Sequence, residues 1–589
     1  MTLAIDTSGR TTLAPIDAGA ERPRDAAAAA AAVSAMASIS SLQTENSPFS
    51  IGLTGHPDLD PAQLPQLVAE VVAFLQEVKQ HLPDTEVCVL LDAGTQFSAA
   101  LVPAVPPLHV RVDALNLDLD PMPVDTLLRR SSLLLVLWDG KPSSAPGDTA
   151  ELVFRFVGVG GEQGEAVHRI EVSTAVHDLD VTARLVYWVP AWRATDVDPG
   201  GGDELPGNVD QVPGDAPRQP YYLLSVGDSV LEVQHSMPSS LKRRLADLNE
   251  YNVNFGRFAA DERQIRSASL MPRDCASMAM SDASVLEAID RQFIRADSLA
   301  GYMQRRSDRL FNTFGIAAFT MGIAYLIYDK VNESRILLLF YMVILLLSLL
   351  VYYFFQTKRW FSKYLSYRSL AETLRVRFYL ALAGLERRMH TRELIALTGI
   401  YRFPGFGWIS FALDSIEPTT VEAPPSAGEY ALRSRIVDQA WVDDQYRYFV
   451  RKVATMERHR SWIGQLKRGV FVTGLIVLTA MFMFSGALHH VDVRTGLPLK
   501  NLLTLCSGTL AVVLGVWELR QNKMAVQELL WQYRNQLSQF QRARLQLQRT
   551  TIRARRDEIL KQLGENSLME IYLWATHRYH REHAPPSAH

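Results

Sequence analysis

The chain has 589 residues, 48% of them hydrophobic, and its sixty Lys and Arg nearly balance its sixty-three Asp and Glu. This excludes a wholly disordered chain, which needs low hydrophobicity and high net charge, and gives no electrostatic reason to expect a nucleic-acid binder. Three widely spaced cysteines, Cys88, Cys275 and Cys506, exclude a disulfide framework and a thiolate zinc site, and they fit a reducing compartment. At about 100–200 residues per domain, the length predicts several structural units.

Residues 1–46 are rich in Ala, Ser, Thr and Arg, lack any apolar period and read as a disordered leader. The Ala-rich stretch 26–33 is too short and too weakly apolar for a secretory signal. From 47 to 195 strands alternate with helices. Residues 49–54 (FSIGLT) read as a strand, Gly55-His56-Pro57-Asp58 as a turn, and 61–81 as an amphipathic helix. Further strands are expected at 86–91, 108–112, 132–138 and 185–189. Near-continuously apolar strands separated by helices predict a parallel sheet covered on both faces.

In such sheets ligands sit beyond the carboxyl ends of the strands, where helices begin. That selects three loops: 54–58, 92–95 and 139–149 (DGKPSSAPGDT). Their glycines let backbone N–H groups approach a phosphate, and a helix N-terminus favours its charge. None spells GxGxxG or a Walker loop. Each also reads as an ordinary strand-to-helix turn, with His56 as a turn hydrogen-bonder and Asp139 as an N-cap-type residue.

A Pro/Gly/Asp-rich linker at 196–220 and a helical connector at 221–280 are expected to lead into an all-α module. Four apolar runs follow, at 311–328, 336–355, 469–488 and 501–517, and none contains Asp, Glu, Lys or Arg. A spanning helix needs about 20 apolar residues, so four transmembrane helices in two hairpins are predicted, the fourth barely long enough. Arg305, Arg306 and Arg309 precede the first pair and Lys358, Arg359 and Lys363 follow it. Lys467 and Arg468 precede the second, with Arg520 and Lys523 after. Positive flanks stay cytoplasmic, which predicts a multi-pass inner-membrane protein with both termini inside. Arg494 and Lys500 in the loop 489–500 weaken this for the second hairpin.

Stripes such as Leu286, Ile289, Phe293, Ala296 and Met303, or Trp360, Tyr364, Tyr367, Ala371, Leu374 and Phe378, predict amphipathic, coiled-coil-like helices around the spans. A third, Val526, Leu530, Tyr533, Leu537 and Phe540, follows the fourth span. The pattern helix, span, span, helix thus occurs twice: a first module at 281–385, a connecting segment at 386–440, and a second module at 441–556, followed by a C-terminal helix and tail at 557–589. Small or hydroxyl residues in the first span (Gly315, Ala318, Gly322) and the fourth (Ser507, Gly508, Thr509) fit close helix packing or a narrow pore.

Paired spans flanked by ADSLAGYMQRRSDRL and KRWFSKYLSYRSLAETLRVRFY resemble the SLATT group of two-span effector modules of bacterial conflict systems. Ile51-Gly52-Leu53-Thr54-Gly55-His56-Pro57-Asp58-Leu59, with Leu137-Trp138-Asp139-Gly140-Lys141-Pro142 and Gly147-Asp148-Thr149-Ala150, resemble a SLOG domain, a Rossmann-like nucleotide sensor. The resemblance implies a pocket lined by Thr54, Gly55, His56, Gly94, Thr95, Asp139, Gly140, Lys141, Gly147 and Thr149. It also implies a nucleotide-derived ligand, a homo-oligomeric antiviral effector and a lipid-bilayer target, with no cofactor and no metal. Membrane-linked relatives carry a Glu-Gly-Ala-Asp-Arg-like run where this chain reads Asp92-Ala93-Gly94-Thr95-Gln96-Phe97. The hydrolase branch needs Gly-Thr-x-x-Glu, whereas Thr149-Ala150-Glu151 is one residue too close, so hydrolysis is not expected. Between 52 and 192 there are eight Lys and Arg against nineteen Asp and Glu, which disfavours a polyanion and leaves a compact nucleotide. The alternatives are a membrane-anchored nucleotide-processing enzyme, a ligand-independent scaffold and a transporter; absence of charge in the spans argues against the last.

Overall fold

The structure is a computed structural model and describes residues 47–92, 95–115, 123–140, 148–157, 169–172, 184–194, 220–225, 230–259, 269–271, 283–385, 400, 403–416, 426–484, 498–524 and 526–583. The chain forms two compact units. One holds the chain up to Leu299 together with Leu370–Ala427, and the other holds Ala300–Ser369 and Gly428–His589.

The first unit is built on β1 (Phe49–Gly55), β2 (Val87–Asp92), β3 (Val110–Leu115), β4 (Leu133–Trp138), β5 (Arg169–Val172), β6 (Leu185–Pro190), β7 (Tyr221–Ser225) and β8 (Val230–Gln234), in the order β3-β2-β1-β4-β6-β7-β8-β5. The strands β3, β2, β1, β4 and β6 are mutually parallel, and β7 is antiparallel to both its neighbours. The sheet is therefore mixed rather than wholly parallel. Residues 221–225 and 230–234, expected within a helical connector, are strands instead. The segments YYLLS and VLEVQ, whose aromatic and β-branched residues favour strands, pair with each other, and YYLLS also pairs with β6.

Alternation along the strands places helices on both faces. Leu134, Val136 and Trp138 of β4 and Val186 and Trp188 of β6 pack with Val153 and Phe156 of α4 (Thr149–Val157). On the other face, α1 (Leu64–His81) buries Leu67, Val71, Phe74, Leu75 and Val78, one helical stripe, and Phe74 stacks on Tyr187 with centroids 4.0 Å apart. Short helices α2 (Gln96–Leu101) and α3 (Pro123–Arg130) complete the crossovers. Beyond the sheet come α5 (Ser239–Ala259), α6 (Ala283–Lys330), α7 (Arg335–Lys358), α8 (Trp360–Leu382) and α9 (Ile409–Asp414).

The amino ends of β1 and β4 are sealed by chain expected to be connecting segment. Phe411 of α9 meets Phe49 edge-on at 5.0 Å, and Ser132 Oγ donates to Asp414 Oδ2 at 3.2 Å. Arg244 of α5 donates to Gly407 O and Ser410 Oγ, both at 3.0 Å, and lies over the Phe411 ring. The carboxyl ends of β1 and β4 lead into His56 and Asp139.

The second unit is helical: parts of α6 and α8, all of α7, and then α10 (Ala427–Val437), a π-turn Asp438–Asp443, α11 (Asp444–Met483), α12 (Leu499–Met524), α13 (Val526–Arg549) and α14 (Arg553–His583). Helices α6, α7, α11 and α12 are long and apolar enough to cross a membrane. A four-residue break, capped by Ser334 Oγ accepting from Ile336 N, reverses α6 into α7. Arg359 at φ 49°, a left-handed cap, ends α7 before α8 starts. The order approach helix, apolar helix, apolar helix, trailing helix recurs as α6–α7–α8 and α11–α12–α13. Most predicted stripe residues, among them Leu286, Phe293, Tyr367, Leu374, Leu530 and Phe540, are buried. Two arginines pin the π-turn: Arg556 binds Asp438 at 2.7 Å and Arg544 binds Asp443 at 2.6 Å.

Candidate functional site

Strand order reverses between β1 and β4: from β1 the chain winds outward through β2 and β3, then returns to place β4 on β1's other side. The two outgoing loops at such a point diverge and leave a crevice beyond the strands' carboxyl ends. His56 leaves β1 there and Asp139 leaves β4, and Thr149 opens α4.

These three side chains form one buried chain, each at most 4% exposed. His56 Nε2 lies 3.0 Å from Asp139 Oδ1, and His56 Nδ1 lies 3.3 Å from Thr149 Oγ1. The Asp139 backbone N is also 3.3 Å from Nε2. One ring nitrogen cannot both donate to the carboxylate and accept from that N–H. We assign the proton to Nε2, because a desolvated carboxylate needs a donor more than a backbone amide needs this acceptor. Nδ1 then accepts from the Thr149 hydroxyl, giving the order hydroxyl, imidazole, carboxylate. Arg193 Nε, itself buried, stands 3.5 Å from Asp139 Oδ2, and the rest of the side chain is partly exposed.

Backbone ties hold the loops in this arrangement. His56 N donates to Leu137 O at 3.2 Å, Ala191 N to Trp138 O at 3.1 Å, and Ala194 N to Asp58 O at 2.7 Å. Asp148 Oδ1 accepts Glu151 N at 3.1 Å and so caps α4. Gly140 sits at φ 78° with the Trp188 ring 3.1 Å from where a Cβ would be, so neither its backbone nor its space suits another residue.

Of the residues expected to line a pocket, His56, Asp139 and Thr149 are in direct contact; Thr54 and Gly55 close β1, and Gly140 follows Asp139. Thr95 follows the neighbouring strand, where its Oγ1 caps α2 by accepting Ser98 N at 3.2 Å. Gly94, Lys141 and Gly147 lie outside the described residues. Sequence reading missed Arg193, and the available signal was its place just past the last expected parallel strand, LVYWVPAWR. Among the described residues no group of three His, Cys, Asp or Glu could hold a metal ion.

In the helical unit, α6 and α12 run antiparallel, with Gly322 against Val512 and Gly508 against Leu326. A Cβ on Gly322 would fall 2.7 Å from Val512 Cγ1, and one on Gly508 would fall 2.8 Å from Leu326 Cδ2. Gly315 faces Val516 more loosely, at 3.8 Å. The Ser507 and Thr509 hydroxyls donate to Thr504 O and Leu505 O of their own helix. Ala318 is partly exposed on α6. Asn501 Nδ2 donates to Lys330 O at 3.0 Å at one end of this helix pair, and Lys467 of α11 pairs with Glu518 of α12 at the other.

No protein-family model, no curated protein and no solved structure matches this chain.

Proposed function

We propose that the chain is a membrane-anchored sensor and effector. In this reading a Rossmann-like, SLOG-like α/β unit on the cytoplasmic side binds a nucleotide-derived signal at the β1/β4 crevice, and SLATT-like hairpins oligomerise to open or disrupt the bilayer in antiviral defence. The observation that carries the sensing half is the convergence of His56, Asp139 and Thr149, singled out in separate motifs, at the switch in strand order. Asp139 is already engaged by His56 and Arg193, so its charge opposes an incoming phosphate less than a bare carboxylate would.

The membrane half rests on four apolar helices whose largest side chains point outward. Phe482 is 82% exposed and Leu350 67%, a surface that water would not tolerate and lipid would. Antiparallel pairing of α6 with α12 supports the expected topology, since it puts the start of the first span and the end of the fourth at the same face.

The test uses detergent-purified full chain and living bacteria. Nucleotides should co-purify or raise the melting midpoint, and His56→Gln should abolish the rise. Expression with infecting phage should depolarise cells. If no nucleotide co-purifies or stabilises, the sensing half falls; if cells keep their potential under every trigger, the effector half does. A second reading, a membrane-anchored nucleotide-processing enzyme, is favoured by one observation: the hydroxyl–imidazole–carboxylate order of Thr149, His56 and Asp139 is that of an activated nucleophile. Turnover of nucleotides by the full chain, lost in Thr149→Val, would select it.

A further inference from the structure

The two approach helices carry basic residues into the apolar spans in different ways. On α6, Arg306 is exposed but has protein aromatics for neighbours, 4.6 Å from the Tyr302 ring and 5.1 Å from the Trp360 ring. On α11 only Phe449, Val453 and Ile463 are buried. Between 447 and 468 this helix carries seven Lys and Arg and a single acidic residue, Glu457, which Arg534 takes at 2.5 Å. Arg458, Trp462 and Leu466 are spaced four apart, hence stacked on one face, and Trp462 is 57% exposed. At 1.5 Å per residue Trp462 stands about 10 Å, and Arg458 about 17 Å, from the start of the apolar run at Gly469. Those heights are the interface and its outer edge, where Trp anchors and where cations meet lipid phosphate.

We propose that this stretch of α11 binds the anionic headgroups of the bilayer surface, with Arg458, on the face of Trp462, and Arg460, on the opposite side of the helix, both taking phosphate, and with Trp462 seated at headgroup level near Leu466. Charge complementarity selects the occupant: an exposed, almost purely cationic helix beside a membrane fits phosphatidylglycerol-type lipids and not zwitterionic ones. Cationic stems lie along the apolar ledge while their heads reach outward. The inference rests on the membrane reading above and adds to it a lipid preference carried by the approach helix of the second hairpin.

The test uses the full chain in nanodiscs containing equal mole fractions of brominated phosphatidylglycerol or brominated phosphatidylcholine. Trp462 is isolated from the other nine tryptophans as the signal lost in Trp462→Phe. We expect brominated phosphatidylglycerol to quench that component more strongly. Arg458→Gln with Arg460→Gln should remove the preference and weaken anionic-lipid retention by native mass spectrometry at least about five-fold, since each basic residue near such a surface contributes about that factor. Lys467 and Arg468 stay in place, so insertion is preserved. Equal quenching by both lipids in a chain that resists carbonate extraction overturns the lipid proposal and spares the membrane reading. Extraction by carbonate overturns both. Equal quenching with a change of oligomeric state in the double variant assigns the face to a second copy and overturns the proposal as well.

Discussion

The run LLLVLW of β4 and the run ILLLFYMVILLLSLLVYYFF of α7 draw on similar residues, yet the molecule puts them to opposite uses. Every residue of the first is buried by neighbouring strands and helices, whereas Leu346 of the second is 61% exposed although it lies mid-helix. The α/β unit turns apolar groups inward and buries a few polar ones that satisfy each other. The helical unit has apolar runs that turn Leu and Phe outward, and its described charge pairs, such as Arg534 with Glu457 and Arg544 with Asp443, lie outside those runs. A chain with balanced charge can therefore hold two units whose apolar side chains face opposite ways, and whole-chain averages conceal it.

The largest expected effect breaks this contrast by truncation. Trp138→Ala removes a buried indole that receives α4 and whose backbone carbonyl accepts Trp188 Nε1 at 2.8 Å. It should cost about 3–5 kcal/mol and unfold the α/β unit first. Leu346→Ala should change the melting midpoint in detergent little, because that side chain is packed by solvent and not by protein. Equal losses in a thermal melt of the full chain would mean that the α7 surface is covered by a partner. Next comes His56→Ala, which strips the donor from the buried Asp139 carboxylate and should cost about 1–3 kcal/mol. His56→Gln, which keeps a donor, should recover part of that stability. Of the same order is the helix-pair test. Gly322→Leu drives atoms into Val512 and should cost about 1–3 kcal/mol. Gly474→Leu on α11, where nothing lies within 4 Å, should be nearly neutral in the same melt.

The strands of the first unit were legible because β-structure buried on both faces leaves uninterrupted apolar words: FSIGLT, VCVLL and SLLLVLW are β1, β2 and β4 to within a residue or so. The apolar helices were legible for the same reason at greater length. What sequence could not reveal was which distant segments return to the sheet. Strands β7 and β8 follow a Pro/Gly-rich stretch that reads as a domain boundary, and their pairing partners depend on a free edge at β6. Likewise α9 reads as connector, because its docking depends on Phe49 and Ser132, far away in sequence. In the candidate site, His56, Asp139 and Thr149 could be singled out from sequence because each follows a strand or opens a helix, positions fixed by topology. Arg193 was missed because an arginine beyond a strand end carries no local signature, and its role appears only once β4 and β6 are adjacent.

The smallest effect concerns α6, which begins in the first unit and runs on into an apolar stretch in the second. Well before its apolar run, α6 carries Asp290, whose Oδ2 accepts Ser269 Oγ at 2.5 Å and whose Oδ1 accepts Leu270 N at 2.6 Å. Burial raises this carboxyl above its ordinary value of 3.8, although those hydrogen bonds pull the other way. A carboxyl raised on folding binds its proton more tightly in the native state than in the unfolded one. Its contribution is therefore most favourable at low pH, and stability is lost as pH rises from the unfolded value through the folded one. Asp290→Asn cannot ionise and keeps an acceptor for Leu270 N, so it should flatten the slope of melting midpoint against pH just above 3.8 without lowering the midpoint near neutrality. An unchanged slope would show that this carboxylate is solvated in the protein, and that the apolar segment farther along α6 is the only part of the helix that excludes charge.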